Sequence, residues 1–410
     1  MLNCDWIDAE LLRRILVADK QDSGSSHVNV INFKVEAATK KGDNYASEMY
    51  RAVIQYERHG KPMKCKRILK VIPSGEIQRM IMEKNSLFPR EITVYRDILP
   101  RIHSMLESIG DPTLISPKCV FTTDDPETML VFEDLKDANF QMVDRKLGLD
   151  LEQAKLVIGK LAKLHACSAV IYQTNPELME CLLEGAICTH PERQDFLIFY
   201  KMCSREVARL VESWNDPAFN HLLNKLRNLE HTIINKGVKV YTRDESCFNV
   251  LNHDDVWVNN MMFKYGENSV EDVLVFDYQL AYFGSPGVDL NYFLFGSVQE
   301  AVREKYWMEL IRNYYDILTS TLEKLSYSGA MPSIEDIHVE IIRKGFHRVN
   351  AVFCLLPIAF MEKTENAEMD TFLQESEAGE AFRKQIFGNP RLEGILRRAL
   401  VQFDQLRFFD

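Results

Sequence analysis

The first third of the chain carries the pattern of a small sheet. Residues 30–39 and 45–57 read as two extended segments on either side of Lys40-Lys41-Gly42-Asp43, where Gly and Asp favour a hairpin turn. A third apolar strand is predicted over 66–72, after His59-Gly60-Lys61-Pro62. Residues 76–107 then place apolar positions at helical spacing, interrupted near Pro89 and Pro100. Two more strands are predicted over 119–123 and 128–133. Ahead of all of these, residues 1–20 mix Asp5, Asp8, Glu10 and two arginines with apolar residues, the pattern of an amphipathic helix.

The pattern changes beyond residue 150. Residues 151–171 predict a strong amphipathic helix, and 195–236 continue as helix. A strand-rich island follows over 238–276, and from Pro286 onward the chain is again mostly helical. The longest uninterrupted apolar run, 351–361, contains Pro357 and reads as a buried helix. It falls short of the roughly 20 residues that span a bilayer. The expected fold class is α+β with two lobes. A small β-rich lobe is expected over 1–133 and a larger, mainly helical lobe over 134–410. A cleft between lobes is the default place for a ligand.

Composition narrows the partners. At 410 residues, 46% hydrophobic and 27% charged, the chain has ample material for a core. Its net charge of −11 offers no broad basic surface of the kind that binds a phosphate backbone, so nucleic acid is not an expected partner. The nine cysteines form no C-x-x-C pair, and several, such as Cys167 and Cys354, sit in apolar stretches. They read as reduced thiols. With no signal peptide and no span visible, a cytoplasmic protein is expected, away from membranes and without an obligate protein partner.

The strand-rich island holds the candidate chemistry. An apolar strand leads into His253-Asp254-Asp255, a second leaves after Asn260, and a third, Val273-Leu274-Val275-Phe276, ends at Asp277. Asp255 and Asn260 stand five apart, the separation of the catalytic-loop Asp and Asn in kinases. There the Asp meets the substrate hydroxyl while the Asn turns back to a metal. Asp277, at the mouth of a buried strand, is placed to present a carboxylate to Mg²⁺, which takes hard oxygen ligands and shares them with phosphates and water. A β-meander with polar turns explains Asp255 and Asn260 equally well on their own. Asp277 tips the pattern towards a metal–nucleotide site. His253 and Trp257 are expected to pack and to hold the loop.

A kinase reading requires a lysine on an upstream strand and a glutamate on the following helix. Lys70 lies in Ile68-Leu69-Lys70-Val71-Ile72, where a buried ammonium needs a partner, and Glu91 supplies one. Such a pair holds the lysine towards the α- and β-phosphates. The alternative is an edge lysine that reaches solvent. The hairpin turn over 41–47 would cover the phosphates through the backbone near Gly42 and the side chains of Asn44 and Ser47. Its single glycine is far from a G-x-G-x-x-G loop. Adenine would lie on the backbone of Phe132-Glu133-Asp134-Leu135, so Glu133 and Leu135 join the nucleotide set. ATP and Mg²⁺ are the expected ligands.

At these residues the sequence resembles the insect ecdysteroid-kinase-like family, related to choline and aminoglycoside kinases. The likeness runs through Lys41-Gly42-Asp43-Asn44-Tyr45, Leu69-Lys70-Val71-Ile72-Pro73, Glu91 with Tyr95 and Leu99-Pro100, and Val131-Phe132-Glu133-Asp134-Leu135. It continues through Leu161-Ala162-Lys163-Leu164-His165-Ala166, residues 253–260, Phe276-Asp277-Tyr278-Gln279, and Gly284-Ser285-Pro286-Gly287-Val288-Asp289-Leu290. The resemblance implies a two-lobed protein-kinase-like fold and ATP-dependent transfer to an alcohol. It makes Asp255 the base, Asn260 and Asp277 the metal ligands, Lys70 the phosphate anchor and Glu91 its partner. It also implies that Asp289 braces the loop backbone, with a helix cap beside Pro286 as the plainer alternative. The substrates it suggests are ecdysteroids and other steroids, or xenobiotics in a detoxification role.

There is one departure. Where the family has His-Gly-Asp, this chain has His253-Asp254-Asp255. If that position needs φ > 0, aspartate tolerates it better than most residues, at some cost. A second carboxylate beside the base also raises the base's pKa. A protein kinase is disfavoured, because Ala-Pro-Glu and Asp-Phe-Gly are absent and only eight residues separate Asp277 from Pro286. The sequence is also compatible with a choline- or aminoglycoside-type acceptor, and with a catalytically silent small-molecule-binding protein. Acceptor contacts are expected from 195–214 and 347–362, whose aromatics, Met and Cys suit an apolar molecule and core packing equally.

Overall fold

The computed structural model describes residues 4, 6–19, 28–38, 47–186, 194–267, 269–362 and 369–410. Strands β1 (Val28–Ala37), β2 (Glu48–Arg58), β3 (Lys61–Val71), β4 (Cys119–Thr123) and β5 (Met129–Glu133) form an antiparallel sheet in the order β1-β2-β3-β5-β4. The turn from β2 to β3 holds His59 at φ 53° and Gly60 at φ 71°. Two positive φ values in a two-residue loop match the twist of the strands they join.

Helix α1 (Ala9–Ala18) covers one face of the sheet. Its Leu11, Leu12, Ile15 and Leu16 bury against Tyr50, Ile54, Leu69 and Val131. Strand alternation sends Leu69, Val71, Met129 and Val131 to that face, and Ile68, Leu130 and Phe132 to the other. Lys70 belongs to the second set by the same alternation and pairs with Leu130 in register.

The helical stretch after β3 is four pieces: α2 (Glu76–Lys84), α3 (Leu87–Thr93), a π-turn over Val94–Ile98, and α4 (Leu99–Ser108). Ser86, at φ 53°, separates α2 from α3. Pro89 sits in the first turn of α3, where a missing N–H matters least. The widened π-turn ahead of Pro100 accommodates the i−4 hydrogen bond its ring removes.

The remainder is mainly helical, so the molecule is α+β as the sequence pattern implies. After β6 (Phe140–Gln141), α5 (Leu151–Thr174) begins with a capping box of Asp150 and Gln153. The helix expected over 195–236 is two helices, α6 (Gln194–Ser213) and α7 (Asn220–Val240). Asn215 at φ 49° and the turn capped by Asp216 before Pro217 break it. The strand-rich island is correspondingly shorter: β7 (Val250–Asn252), β8 (Met261–Tyr265), β9 (Val270–Val275) and β10 (Tyr282–Gly284). β10 pairs with β7, and β6, β8 and β9 form a small sheet.

Then come α8 (Gly287–Gly296), α9 (Glu300–Lys324), α10 (Ile334–Arg343), α11 (His347–Asn350), α12 (Leu356–Ala359), α13 (Met369–Leu373), α14 (Glu377–Phe387) and α15 (Pro390–Gln405). A second π-turn, Ala351–Leu355, precedes Pro357 and repeats the device seen at Pro100. Cys167, Cys203 and Cys354 are buried free thiols. Among the described residues no helix is long and apolar enough to cross a membrane.

Candidate active site

The loop that leaves β7 is held from behind by α8. At Gly287 a Cβ would meet the Glu340 carbonyl oxygen at 2.4 Å, so glycine is what lets α8 start against the backbone of α10. Asp289 follows in the first turn, fully buried. It is not the cap of the helix; its carboxylate faces the loop. Oδ2 accepts the His253 N–H and Oδ1 the Asp254 N–H, each at 2.8 Å. His165 of α5 contacts Oδ2 at 3.2 Å and meets the Tyr314 hydroxyl at 2.8 Å through its other nitrogen. Burial opposes the Asp289 charge, but His165 and the backbone donors prevail and hold its pKa below the usual carboxylate range.

Asp254 takes φ 63°, the left-handed conformation that glycine adopts freely and aspartate tolerates. Its Oδ1 accepts the Tyr241 hydroxyl at 2.9 Å, and His347 Nε2 stands 3.5 Å away. Burial pushes the carboxyl up to about 6, against the pull of His347.

Asp255 is gripped on both oxygens. Tyr292 donates its hydroxyl to Oδ1 at 3.0 Å. Asn260 Nδ2 donates to Oδ2 and to the Asp255 carbonyl, each at 2.9 Å. The Asp255 N–H donates to His253 Nδ1 at 3.2 Å, so the proton of that ring lies on Nε2, which donates to the Phe276 carbonyl at 2.9 Å. His253 is therefore neutral, and burial lowers its pKa accordingly. It ties the loop to the strand end that carries Asp277. The Phe276 N–H adds a second tie to the Asn260 carbonyl at 2.9 Å. Burial, then the nearby Asp277 charge, raises the Asp255 pKa well above the ordinary value.

Asp277 follows β9 at φ 74°. Its Oδ1 accepts from Lys70 Nζ at 2.7 Å, and Lys70 also reaches Glu91 Oε1 at 2.8 Å and Oε2 at 2.7 Å. Lys70 does not reach solvent: it is 3% exposed and Glu91 0%, while the Asp277 side chain keeps 22%. Burial works against the ammonium, but Asp277 and Glu91 outweigh it and raise its pKa. Burial pushes the Glu91 carboxyl up to about 7 despite Lys70. Tyr95, one helical turn beyond Glu91, packs edge-on against Phe132 and Tyr278, with centroids 4.8 and 5.6 Å away.

Of the expected nucleotide contacts, Gly42 and Asn44 lie outside the described residues. Ser47 directly precedes β2, with its hydroxyl 3.7 Å from Met49 Sδ, and Met49 pairs with Lys70 in register. Glu133 ends β5 and accepts the Lys118 N–H at 3.1 Å. Leu135 buries with Phe140, Met262 and Leu274, and Phe276 packs at the edge of that cluster. An apolar surface thus lies beside the residue that precedes Asp277. The donor set fits a magnesium ion: Asp277 offers a carboxylate, and Asn260 keeps its amide oxygen because its Nδ2 is spent on Asp255.

Three residues here carry no motif signal. Tyr292 stands one turn beyond Asp289 on α8, so the i+3 face of that helix points to it. His347 stacks on Tyr292, with ring centroids 5.0 Å apart and planes at 27°, and lies in a segment expected near the acceptor. Tyr241, at the end of α7, leaves no trace in the pattern.

Residues 41–327 match the ecdysteroid kinase-like family. The chain is similar to the solved structure of an ethanolamine kinase from Plasmodium vivax, at 14% identity over 88% of this chain and 83% of that one, with a TM-score of 0.37. It is also similar to wild-type aminoglycoside 2'-phosphotransferase-IIIa in its GDP complex, at 13% identity over 84% and 99%, with a TM-score of 0.35. A stretch of 139 residues is 27% identical to Dynein heavy chain-like protein 1 of Plasmodium falciparum (isolate 3D7). That match covers 31% of this chain and spans only 3% of the relative's length. The antiparallel sheet followed by a mainly helical part is a kinase-like α+β fold. The chain belongs to the ecdysteroid kinase-like family.

Proposed function

We propose that this chain is an ATP- and Mg²⁺-dependent small-molecule kinase that transfers the γ-phosphoryl group to an alcohol. The acceptor we propose is an ecdysteroid, another steroid or a hydroxylated xenobiotic. The observation that carries the reading is Lys70, buried between Glu91 and Asp277 at 2.7–2.8 Å beside the loop that holds Asp255 and Asn260. Two carboxylates on one lysine, the second of them partly exposed, suit a site that admits a further cation and an anionic ligand. In this reading the sheet region up to residue 133 carries the nucleotide, and residues 134–410 carry the base and the acceptor. The buried thiols Cys167 and Cys354 support a reducing, cytoplasmic setting.

Asp255 serves as the base. Asn260 and Tyr292 orient its carboxylate before the acceptor arrives. The acceptor hydroxyl gives its proton to Asp255 as its oxygen bonds to the γ-phosphorus, and the β–γ bridging oxygen leaves with ADP. A raised Asp255 pKa makes the ionised carboxylate a stronger proton acceptor. Lys70 neutralises charge on the phosphates, and Glu91 keeps it aimed. Asp277 and Asn260 would hold Mg²⁺, which would supply charge compensation for the phosphates.

The test is phosphorylation of a panel of steroids, phenolic glycosides and amino alcohols with Mg·ATP, read by product mass. Asp255→Ala and Asp277→Ala are each expected to lower turnover by about a hundredfold or more with an unchanged circular dichroism spectrum. Near-normal turnover in Asp255→Ala overturns the assignment of the base.

A further inference from the structure

A cavity of about 420 Å³ lies where the end of α8, the first turn of α9, α12 and α15 meet. Arg145, Arg303, Arg391 and Arg398 line it, against a single carboxylate, Glu300. Glu300 already bonds Arg398, Nε to Oε1 at 2.8 Å, with Arg303 at 3.9 Å. Arg145 reaches the Met361 carbonyl at 3.2 Å, and Arg391 the carbonyls of Lys146 and Leu147. Among the described residues, neither Arg145 nor Arg391 has a carboxylate partner. Arg303 is 8% exposed, with its guanidinium 4.1 Å from the centre of the Phe295 ring. Arg303 is buried and Arg145 half-buried, while Arg391 and Arg398 stand exposed at the rim, and guanidinium is the group best shaped for carboxylate, sulfate or phosphate. The rest of the lining is largely apolar, including Phe295, Leu356 and Phe360.

The cavity adjoins the candidate active site. Ser297, in its lining, donates its hydroxyl at 3.4 Å to the carbonyl of Val256, the residue after Asp255. Tyr292, which holds Asp255, precedes Phe295 and Gly296 by one turn on the same face of α8.

We propose that this cavity takes an anionic group of the acceptor, so that the substrate is a hydroxylated organic anion with an apolar body: a carboxylate, a sulfate or a phosphate ester. The inference rests on the kinase reading and narrows it. A steroid or xenobiotic alcohol bearing such a group is a better acceptor than its neutral counterpart, and cationic amino alcohols are poor ones.

The test pairs hydroxylated carboxylic acids with their methyl esters, adds amino alcohols, and measures Mg·ATP-dependent phosphorylation. Acids are expected to exceed their esters at least about tenfold in kcat/KM, as one charge-assisted contact provides. Arg145→Gln/Arg391→Gln, checked for folding by circular dichroism, should bring that ratio close to one. If esters or amino alcohols are phosphorylated as well as acids, or if the ratio survives the double substitution, this inference fails while the kinase reading stands. If nothing is phosphorylated, the kinase reading fails instead, and calorimetric binding of the same acids and esters decides the cavity. Acid-selective binding lost in the double variant supports an anion site there, and equal binding of acid and ester overturns it.

Discussion

Asp254 concentrates the tension in this site: a buried carboxylate on a left-handed backbone, next to the residue assigned as base. Its folded pKa, about 6, lies above the ordinary value of 3.8. A carboxyl raised in this way favours the fold fully below about pH 3.8 and loses that contribution as pH rises through about 6. Asn also tolerates positive φ, offers the same Oδ1 to Tyr241 and His347, and never ionises. Asp254→Asn should therefore match the natural chain in stability near pH 4. Above pH 7 it should be more stable, by up to about 3 kcal/mol, since each pKa unit corresponds to about 1.4 kcal/mol. Thermal melts across pH check this; a difference that stays constant from pH 4 to pH 8 contradicts it. The need for positive φ was legible in the His253-Asp254-Asp255 departure. The partners that make Asp254 tolerable, Tyr241 and His347, were not, because they come from α7 and α11 and share no period with the loop.

At the scale of elements, α8 does most of the positioning. Gly287 sets its approach to α10, Asp289 holds two N–H groups of the loop, and Tyr292 holds Asp255. Gly287→Ala forces a Cβ to within 2.4 Å of the Glu340 carbonyl oxygen. It should cost about 1–3 kcal/mol of stability and lower turnover further by moving Asp289. Gly394→Ala is the control: that glycine lies inside α15 with its nearest neighbour atom at 3.7 Å, the far end of Arg398. It should gain about 0.5–1 kcal/mol from helix propensity alone. Urea melts of the two variants decide; equal effects contradict the role given to α8. The apolar run around Lys70 made its need for a buried partner, Glu91, readable in advance. The α6–α7 break was signalled by Asn215-Asp216-Pro217, which the helical periodicity on either side outweighed. The two π-turns were not readable, because a π-turn adds one residue without changing which side chains are apolar.

Across the whole molecule, Lys70 is where the parts meet. The sheet contributes the ammonium, α3 contributes Glu91, and the end of β9 contributes Asp277, 207 residues away from Lys70 in the chain. That convergence was inferable as chemistry but not as distance, since a contact so far apart in sequence leaves no local pattern. The central claim is that Lys70, Asp277 and Asn260 serve one magnesium–nucleotide. Calorimetric titration of ATP with and without Mg²⁺ tests it most directly and needs no acceptor. In the natural chain Mg²⁺ should tighten ATP at least about tenfold, a coupling of about 1.4 kcal/mol, and in Asp277→Ala that coupling should vanish. An Asp277→Ala variant in which Mg²⁺ still tightens ATP as strongly would contradict the account.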